Sequence, residues 1–363
     1  MDKEHIARIA RRFALTGEFH HAIPYGSGHI NNTYRMTARE GITEFTYVLQ
    51  RLNDTIFQDG EAVMRNIRAV LDHLQGPMRL VATLEGDPWV RDDDGAYWRC
   101  YNFVENSYTV DVVEDPGQAY RIAFAFGEFH RALVDYNGPR LKDTIPQFHH
   151  TPSRYQHFEE AVAADVATRV AGAEAAITFA KEREGIVSRV VDALSSGELP
   201  ERITHNDTKL NNVLLDQVTG EGVCVIDLDT VMPGSILYDF GDFVRTTTCL
   251  APEDCKDLDR MQVEMELFEA ITRGFLDAAG ALLDPAEVKL FPFSGQLITL
   301  EIGLRFLTDY LQGDTYFKTH YPEHNLDRAR AQFALVRSIE AKIPEMEALV
   351  ARLSVEFGAA ARM

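Results

Sequence analysis

Cysteine is scarce in this chain. Four residues among 363 (Cys100, Cys224, Cys249 and Cys255), with no C-x-x-C pair, exclude a disulfide-dense framework and offer no zinc spacing. Long apolar runs are missing as well. The most hydrophobic late stretch is broken by Glu301 and Arg305, so no run of 18 apolar residues is available to span a bilayer. The N-terminus lacks the uninterrupted apolar core of a signal peptide, and a cytoplasmic, reduced protein is expected. Positive charge is in deficit: 36 Lys and Arg stand against 56 Asp and Glu, a net charge of -20. That balance disfavours nucleic acid and anionic membrane surfaces as partners. A small anionic ligand stays possible where a metal ion supplies the missing charge. There is no G-x-x-x-x-G-K-[ST], no H-E-x-x-H and no G-x-S-x-G, which removes P-loop, zincin and α/β-hydrolase chemistry.

What is present divides the chain in two. Ile6, Ile9, Ala10, Phe13 and Ala14 follow helical spacing, with Gly17 placed to end a first helix. Strands are predicted over Ala22–Tyr25, Thr33–Thr37, Phe45–Leu52, Trp89–Val90 and Ala96–Val104, with one helix over Gly60–Leu74. From about Pro116 helical patterns dominate: Tyr120–Val134, Tyr155–Ala176, Ile186–Leu194, Met261–Ala279, Pro292–Leu311 and Leu326–Phe357, around one strand-rich island at Val213–Leu228. A boundary near Glu105–Asp115 separates a small β-rich lobe (1–106) from a larger helical one (107–363).

The most informative segment is Thr204-His205-Asn206-Asp207-Thr208-Lys209-Leu210-Asn211-Asn212, followed by strands at Val213–Leu215 and Val223–Leu228. Opposed residues of an antiparallel hairpin have a constant index sum. A hairpin turning at Thr219-Gly220 would set Asn212 opposite Asp227, with Asp207 a short loop away. Three oxygen-bearing side chains at a strand end suit a hard cation such as Mg2+ together with a base. Singly, each is an ordinary turn or strand-end residue. Together they have the order of kinase machinery: a catalytic-loop Asp, an Asn five residues on, and an Asp after a hairpin. A second segment, Gly26-Ser27-Gly28-His29-Ile30-Asn31-Asn32, lies between two predicted strands. Strand on both sides argues against a dinucleotide fingerprint, which must open a helix, and fits a glycine flap over phosphates. The pairs His20-His21 and His149-His150 read as solvated or capping residues rather than metal ligands.

These residues resemble the aminoglycoside-phosphotransferase-like branch of the kinase superfamily and, within it, the N-acetylhexosamine 1-kinases. The similarity is carried by YGSGHINNTY, YVLQRLN, THNDTKLNNVLLD, VIDLDTVMPGSILYDFGDFVR and RFLTDYLQGDTYF. It implies an α+β, bilobal protein-kinase-like fold that binds ATP and Mg2+ and phosphorylates GlcNAc or GalNAc at the anomeric hydroxyl. By the resemblance Asp207 is the base, and Asn212 and Asp227 hold Mg2+, with Asp229 a further candidate ligand. Gly26, Ser27 and Gly28 would cover the phosphates. Val48 and the hinge at Phe103, Val104 and Glu105 would receive the adenine. Gln50 stands where the strand-three phosphate-binding lysine is expected, and Lys209 is the candidate to replace that charge. Only Leu228 to Tyr238 separates Asp227 from Asp239, too short a segment to dock a peptide, so the acceptor is a small molecule. Candidate sugar contacts are His29, Asp242, Arg245, Arg305 and Tyr310. For Arg305 the simpler alternative is an exposed pair with Asp309, four residues on. Asp239 reads as an anchor fixing the catalytic loop. Two other readings stay open: a kinase of another small alcohol of aminoglycoside, choline or homoserine type, and a silent nucleotide- or sugar-binding homologue, which Gln50 alone favours.

Overall fold

A computed structural model describes residues 3–26 and 30–359. The first lobe is a five-stranded antiparallel sheet of β1 (Glu18–Pro24), β2 (Asn32–Glu40), β3 (Thr43–Arg51), β4 (Val90–Arg91) and β5 (Tyr97–Asn102), in the order β1-β2-β3-β5-β4. Side chains alternate across it. Tyr34, Met36, Tyr47, Leu49, Trp98 and Cys100 are buried on one face, beneath Ile6 and Ile9 of α1 (Lys3–Ala10). The opposite face of β3 turns Val48 and Gln50 toward the second lobe. α1 ends at Ala10, well before Gly17: Phe13 leaves the helix to bridge Thr83, and Ala14 is exposed.

α2 (Gly60–Leu74) has the predicted bounds, with Asp59 capping its first turn by accepting from the Ala62 N–H at 3.0 Å. Its buried Val63, Met64, Ile67 and Val70 join the larger core with Ile122 and Phe126 of α3 (Pro116–Leu133), so this helix ties the sheet to the helical lobe.

The second lobe contains α4 (Thr151–Ala164), α5 (Glu174–Lys181), α6 (Arg189–Ser196), α7 (Ile236–Thr247), α8 (Met265–Ala279), α9 (Pro285–Lys289), α10 (Phe291–Leu311) and α11 (His324–Glu356). The single helix predicted over Tyr155–Ala176 is instead two. Asp165 adopts φ 38°, and its carboxylate accepts from the N–H groups of Arg169 and Val170, a local closure that competes with the helix. Small sheets frame the cleft: β6 (Ser107–Tyr108) with β8 (Val213–Asp216) and β9 (Gly222–Val225), and β7 (Arg202–Thr204) with β10 (Met232–Gly234). No helix among the described residues is long and apolar enough to cross a membrane.

The β8–β9 register departs from the even hairpin. Val213 pairs with Val225 and Leu214 with Cys224, then a bulge brings Leu215 opposite Gly222. Asn212 therefore faces Ile226, whose N–H donates to the Asn212 carbonyl at 2.9 Å. The cause is a wider turn: the Asp216 carboxylate accepts from Val218 and Thr219 N–H, and Gly220 takes φ +71°. Asp227 lies one residue beyond the ladder, at φ 60°.

Candidate active site

The loop that carries Asp207 is held from behind. Asp239, fully buried at the start of α7, accepts from the backbone N–H groups of His205 (2.7 Å) and Asn206 (2.6 Å), and its own carbonyl accepts from Thr208 Oγ1 (2.6 Å). His130 Nε2 lies 2.9 Å from the same carboxylate. Burial alone would raise the Asp239 carboxyl, but His130, His205 and the backbone donors hold it below the usual range. Asp239 is thus the expected anchor of the loop. Asn206 takes φ 65° and donates its amide to the Thr230 carbonyl at 2.8 Å, which fixes the sharp turn before Asp207.

Asp207 enters a cavity of about 310 Å³ between the lobes, shared with Lys209, Asn212, Asp227 and Asp229. Lys209 Nζ sits 2.8 Å from Asp207 Oδ2. Enclosure would raise the Asp207 carboxyl, yet the lysine keeps it below the ordinary range, and the pairing raises Lys209 in turn. The Asn212 amide donates to the Asp207 carbonyl at 2.8 Å, so Oδ1 is the side-chain atom that could meet a cation. The Asp227 carboxyl is pushed up to about 6, first by enclosure in the cleft and then by the charges of Asp229 and Asp207. Its side chain is exposed to the cavity. Asp227 and the Asn212 amide oxygen are the two groups that would fit a hard divalent cation whose remaining ligands come from phosphate and water. Among the described residues no three His, Cys, Asp or Glu side chains form a self-sufficient metal cage.

Asp229 behaves differently from a free ligand. One oxygen is paired with Arg99, and the other accepts from Asn31 Nδ2 at 2.5 Å. Asn31 also accepts from the Asn53 N–H at 3.0 Å, so this carboxylate pins the end of the glycine loop to the helical lobe. Gly26 lines the cavity; Ser27, Gly28 and His29 lie outside the described residues. Val48, Phe103 and Val104 line it too, opposite Leu214 and Ile226, which form an apolar slot. Glu105 is exposed in the turn that follows and is not part of the lining.

The remaining candidates separate. Asp242 is buried and holds Arg245 through Nε and Nη2, both at 2.8 Å, while Arg245 Nη1 reaches Glu253 at 2.9 Å. Arg245 borders a neighbouring cavity of about 390 Å³ that also meets Lys209 and Asn211. Arg305 lines a third, of about 400 Å³, with Phe148, Arg154, His157, Tyr316 and Phe317. Its guanidinium lies 5.4 Å from the Phe148 ring centroid and 5.6 Å from that of Phe317. The alternative pairing of Arg305 with Asp309 fails, because Asp309 accepts from the N–H groups of Thr315, Tyr316 and Phe317 at 2.8, 2.8 and 2.9 Å. Tyr310 is buried under Arg169, whose guanidinium sits 4.6 Å from the ring centroid, and it borders none of these cavities.

The sequence profile of the phosphotransferase enzyme family matches residues 21–285. The chain belongs to the phosphotransferase enzyme family. The matched span runs from within β1 to the first residue of α9 and contains the whole lobe-spanning cavity. Among solved structures, the choline kinase of Cryptosporidium parvum Iowa II is 13% identical, with 95% of this chain and 97% of that one covered and a TM-score of 0.61. The amicoumacin kinase hAmiN, solved with AMP-PNP, Ca2+ and Ami, is 16% identical over 94% of both chains, TM-score 0.60. An aminoglycoside phosphotransferase from Alicyclobacillus acidocaldarius is 14% identical over 97% and 96%, TM-score 0.55. The fold is therefore the α+β, kinase-like one that the resemblance implied.

Three participants escaped the sequence reading. Arg99 lies mid-strand between buried Trp98 and Cys100, and a lone arginine in an apolar strand was its signal. Asn31 had none beyond its place in the loop. Glu301 had only marked the end of an apolar run; it is fully buried and pairs with His149 at 2.8 Å and with Thr151 Oγ1 at 2.6 Å. His149 also meets the Asn206 carbonyl at 3.1 Å, so it is a buried strut, whereas His150 caps α4 as expected.

Proposed function

We propose that this phosphotransferase moves the γ-phosphoryl group of ATP to the anomeric hydroxyl of an N-acetylhexosamine, GlcNAc or GalNAc. The observation that carries the reading is the convergence of Asp207, Asn212 and Asp227 in one cleft with Lys209. The slot between Val48 and Leu214–Ile226 would receive the adenine, with the phosphates directed toward Asp227. Mg2+ held by Asn212 and Asp227 would neutralise phosphate oxygens. Asp207 orients the acceptor hydroxyl. As the bond from the sugar oxygen to the γ-phosphorus forms and the bond to the departing ADP breaks, Asp207 takes the hydroxyl proton. An anomeric hydroxyl is more acidic than an ordinary alcohol, so a carboxylate kept ionised by Lys209 is a sufficient base. The rigid seat made by Asp239 supplies the alignment that a loose transition state requires.

Support for a neutral, hydroxyl-rich acceptor comes from the third cavity. It combines two guanidiniums, Arg154 and Arg305, with aromatic faces, and it sits beside the catalytic loop through Phe148 and the His149–Asn206 contact. Burial and the neighbouring Arg305 lower Arg154, as expected of cations facing one another. Such a surface repels the ammonium of an amino alcohol and suits a polyol with an apolar ring face. The test is ADP release measured over a panel of sugars and amino alcohols, with 31P NMR of the product. Turnover with GlcNAc or GalNAc and an anomeric phosphate supports the reading. Turnover with choline or an aminoglycoside alone would replace the acceptor, and no ADP release with any alcohol would leave a binding module.

A further inference from the structure

Strand three offers Gln50, a neutral amide, to the phosphate end of the cleft. Its register partners show what surrounds it. Thr33 of β2 pairs with Gln50, and Gln50 pairs with Arg99 of β5, so one row crosses three strands on the cavity face. The row is linked by hydrogen bonds: Arg99 Nε donates to Gln50 Oε1 at 2.9 Å, and Gln50 Nε2 donates to Thr33 Oγ1 at 3.0 Å. All three side chains line the cavity with Asp207 and Asp227. Arg99 Nη1 pairs with Asp229, and its guanidinium lies 5.3 Å from the Tyr101 ring centroid.

We infer that Arg99 is the phosphate-binding cation of this site, standing in from the neighbouring strand for the charge that Gln50 lacks, and that Asp229 holds its guanidinium in place. The inference rests on the nucleotide reading given above. An arginine is 1% exposed here, and a buried cation is tolerated when its hydrogen bonds are met. Of its five N–H groups, Nε and Nη1 are engaged as described, while Nη2 has no partner among the described residues. Its two N–H groups are the ones left to reach a phosphate oxygen. Gln50 becomes a positioning residue that orients the guanidinium. Lys209 is already paired with Asp207, its ammonium 2.8 Å from that carboxylate. Charge agrees: Asp207, Asp227 and Asp229 against Lys209 and Arg99 leave one negative charge, which a divalent cation and a polyphosphate can complete.

The experiment is calorimetric binding of adenosine, AMP and ADP, each with Mg2+, to the full chain as wild type, Arg99→Met and Arg99→Lys. The expected result is unchanged adenosine affinity for Arg99→Met with ADP affinity weakened about 10- to 100-fold, the loss of one charge-assisted contact. Arg99→Lys should recover part of it. Should Arg99→Met not fold, Arg99→Met combined with Asp229→Asn removes both buried charges and serves the same comparison. Equal ADP affinity in wild type and Arg99→Met, or a parallel loss of adenosine and ADP, overturns the inference. Failure of the wild-type chain to bind ADP overturns the nucleotide reading itself.

Discussion

Replacing Asp239 by alanine tests how the catalytic loop is held. The carboxylate is fully buried and receives two backbone N–H groups, from His205 at 2.7 Å and Asn206 at 2.6 Å, plus His130 at 2.9 Å. Alanine strands both backbone donors in a site water does not reach. Each stranded donor costs about 1–3 kcal/mol, so the pair predicts a loss of about 2–6 kcal/mol of stability. Asp239→Asn keeps one acceptor oxygen and presents N–H₂ where the second stood, so its loss falls between wild type and alanine. Urea unfolding of the full chain followed by circular dichroism reads the difference. Where the variants stay folded, turnover should fall with them, because the loop that aims Asp207 has lost its seat. A loss below about 1 kcal/mol for Asp239→Ala would show that other contacts hold the loop and would refute the reasoning.

Two further outcomes concern the framework. A Cβ on Gly274 of α8 would lie 2.2 Å from the Tyr120 carbonyl of α3, a backbone atom that cannot rotate aside. Gly274→Ala should cost about 1–3 kcal/mol in thermal unfolding, whereas Gly185→Ala, with open space around it, should be near neutral. His149 is raised: burial would lower it, but the Glu301 charge prevails, and Glu301 is lowered correspondingly. A histidine raised in the folded state contributes stability that is present below its unfolded value near 6.5 and lost as pH climbs through the higher folded value. Wild-type stability should therefore decline above neutrality more steeply than that of Glu301→Gln, and parallel pH profiles would exclude the pair as the cause.

The legible parts of the sequence were those written in short-range pattern. The apolar face of α2 gave its bounds, since Val63, Ile67 and Val70 repeat at helical spacing and Asp59 caps it. The order Asp207, Asn212, Asp227 announced the cleft because each lies on a loop or strand end fixed by local chemistry. Asp239 followed from the same segment. What escaped depended on pairing across the chain. Arg99 and Gln50 are 49 residues apart and meet only once β3 and β5 are in register. Glu301 and His149 are 152 residues apart and read as an interruption and a polar pair until α10 is packed. Asp229, a further candidate metal ligand by the resemblance, pairs with Arg99 and Asn31, partners that no local spacing reveals. The one-residue error in the β8–β9 register came from Asp216, whose side chain closes a wider turn than the index sum assumed.

The most direct measurement is the turnover of Asp207→Asn with saturating ATP, Mg2+ and N-acetylglucosamine, set beside its ADP affinity. A carboxylate that accepts the hydroxyl proton contributes about 100- to 10,000-fold, so kcat should fall by that order while ADP binds as it does to wild type. Turnover close to wild type would mean that Asp207 neither orients nor deprotonates the acceptor, and the chemistry assigned to this cleft would be wrong.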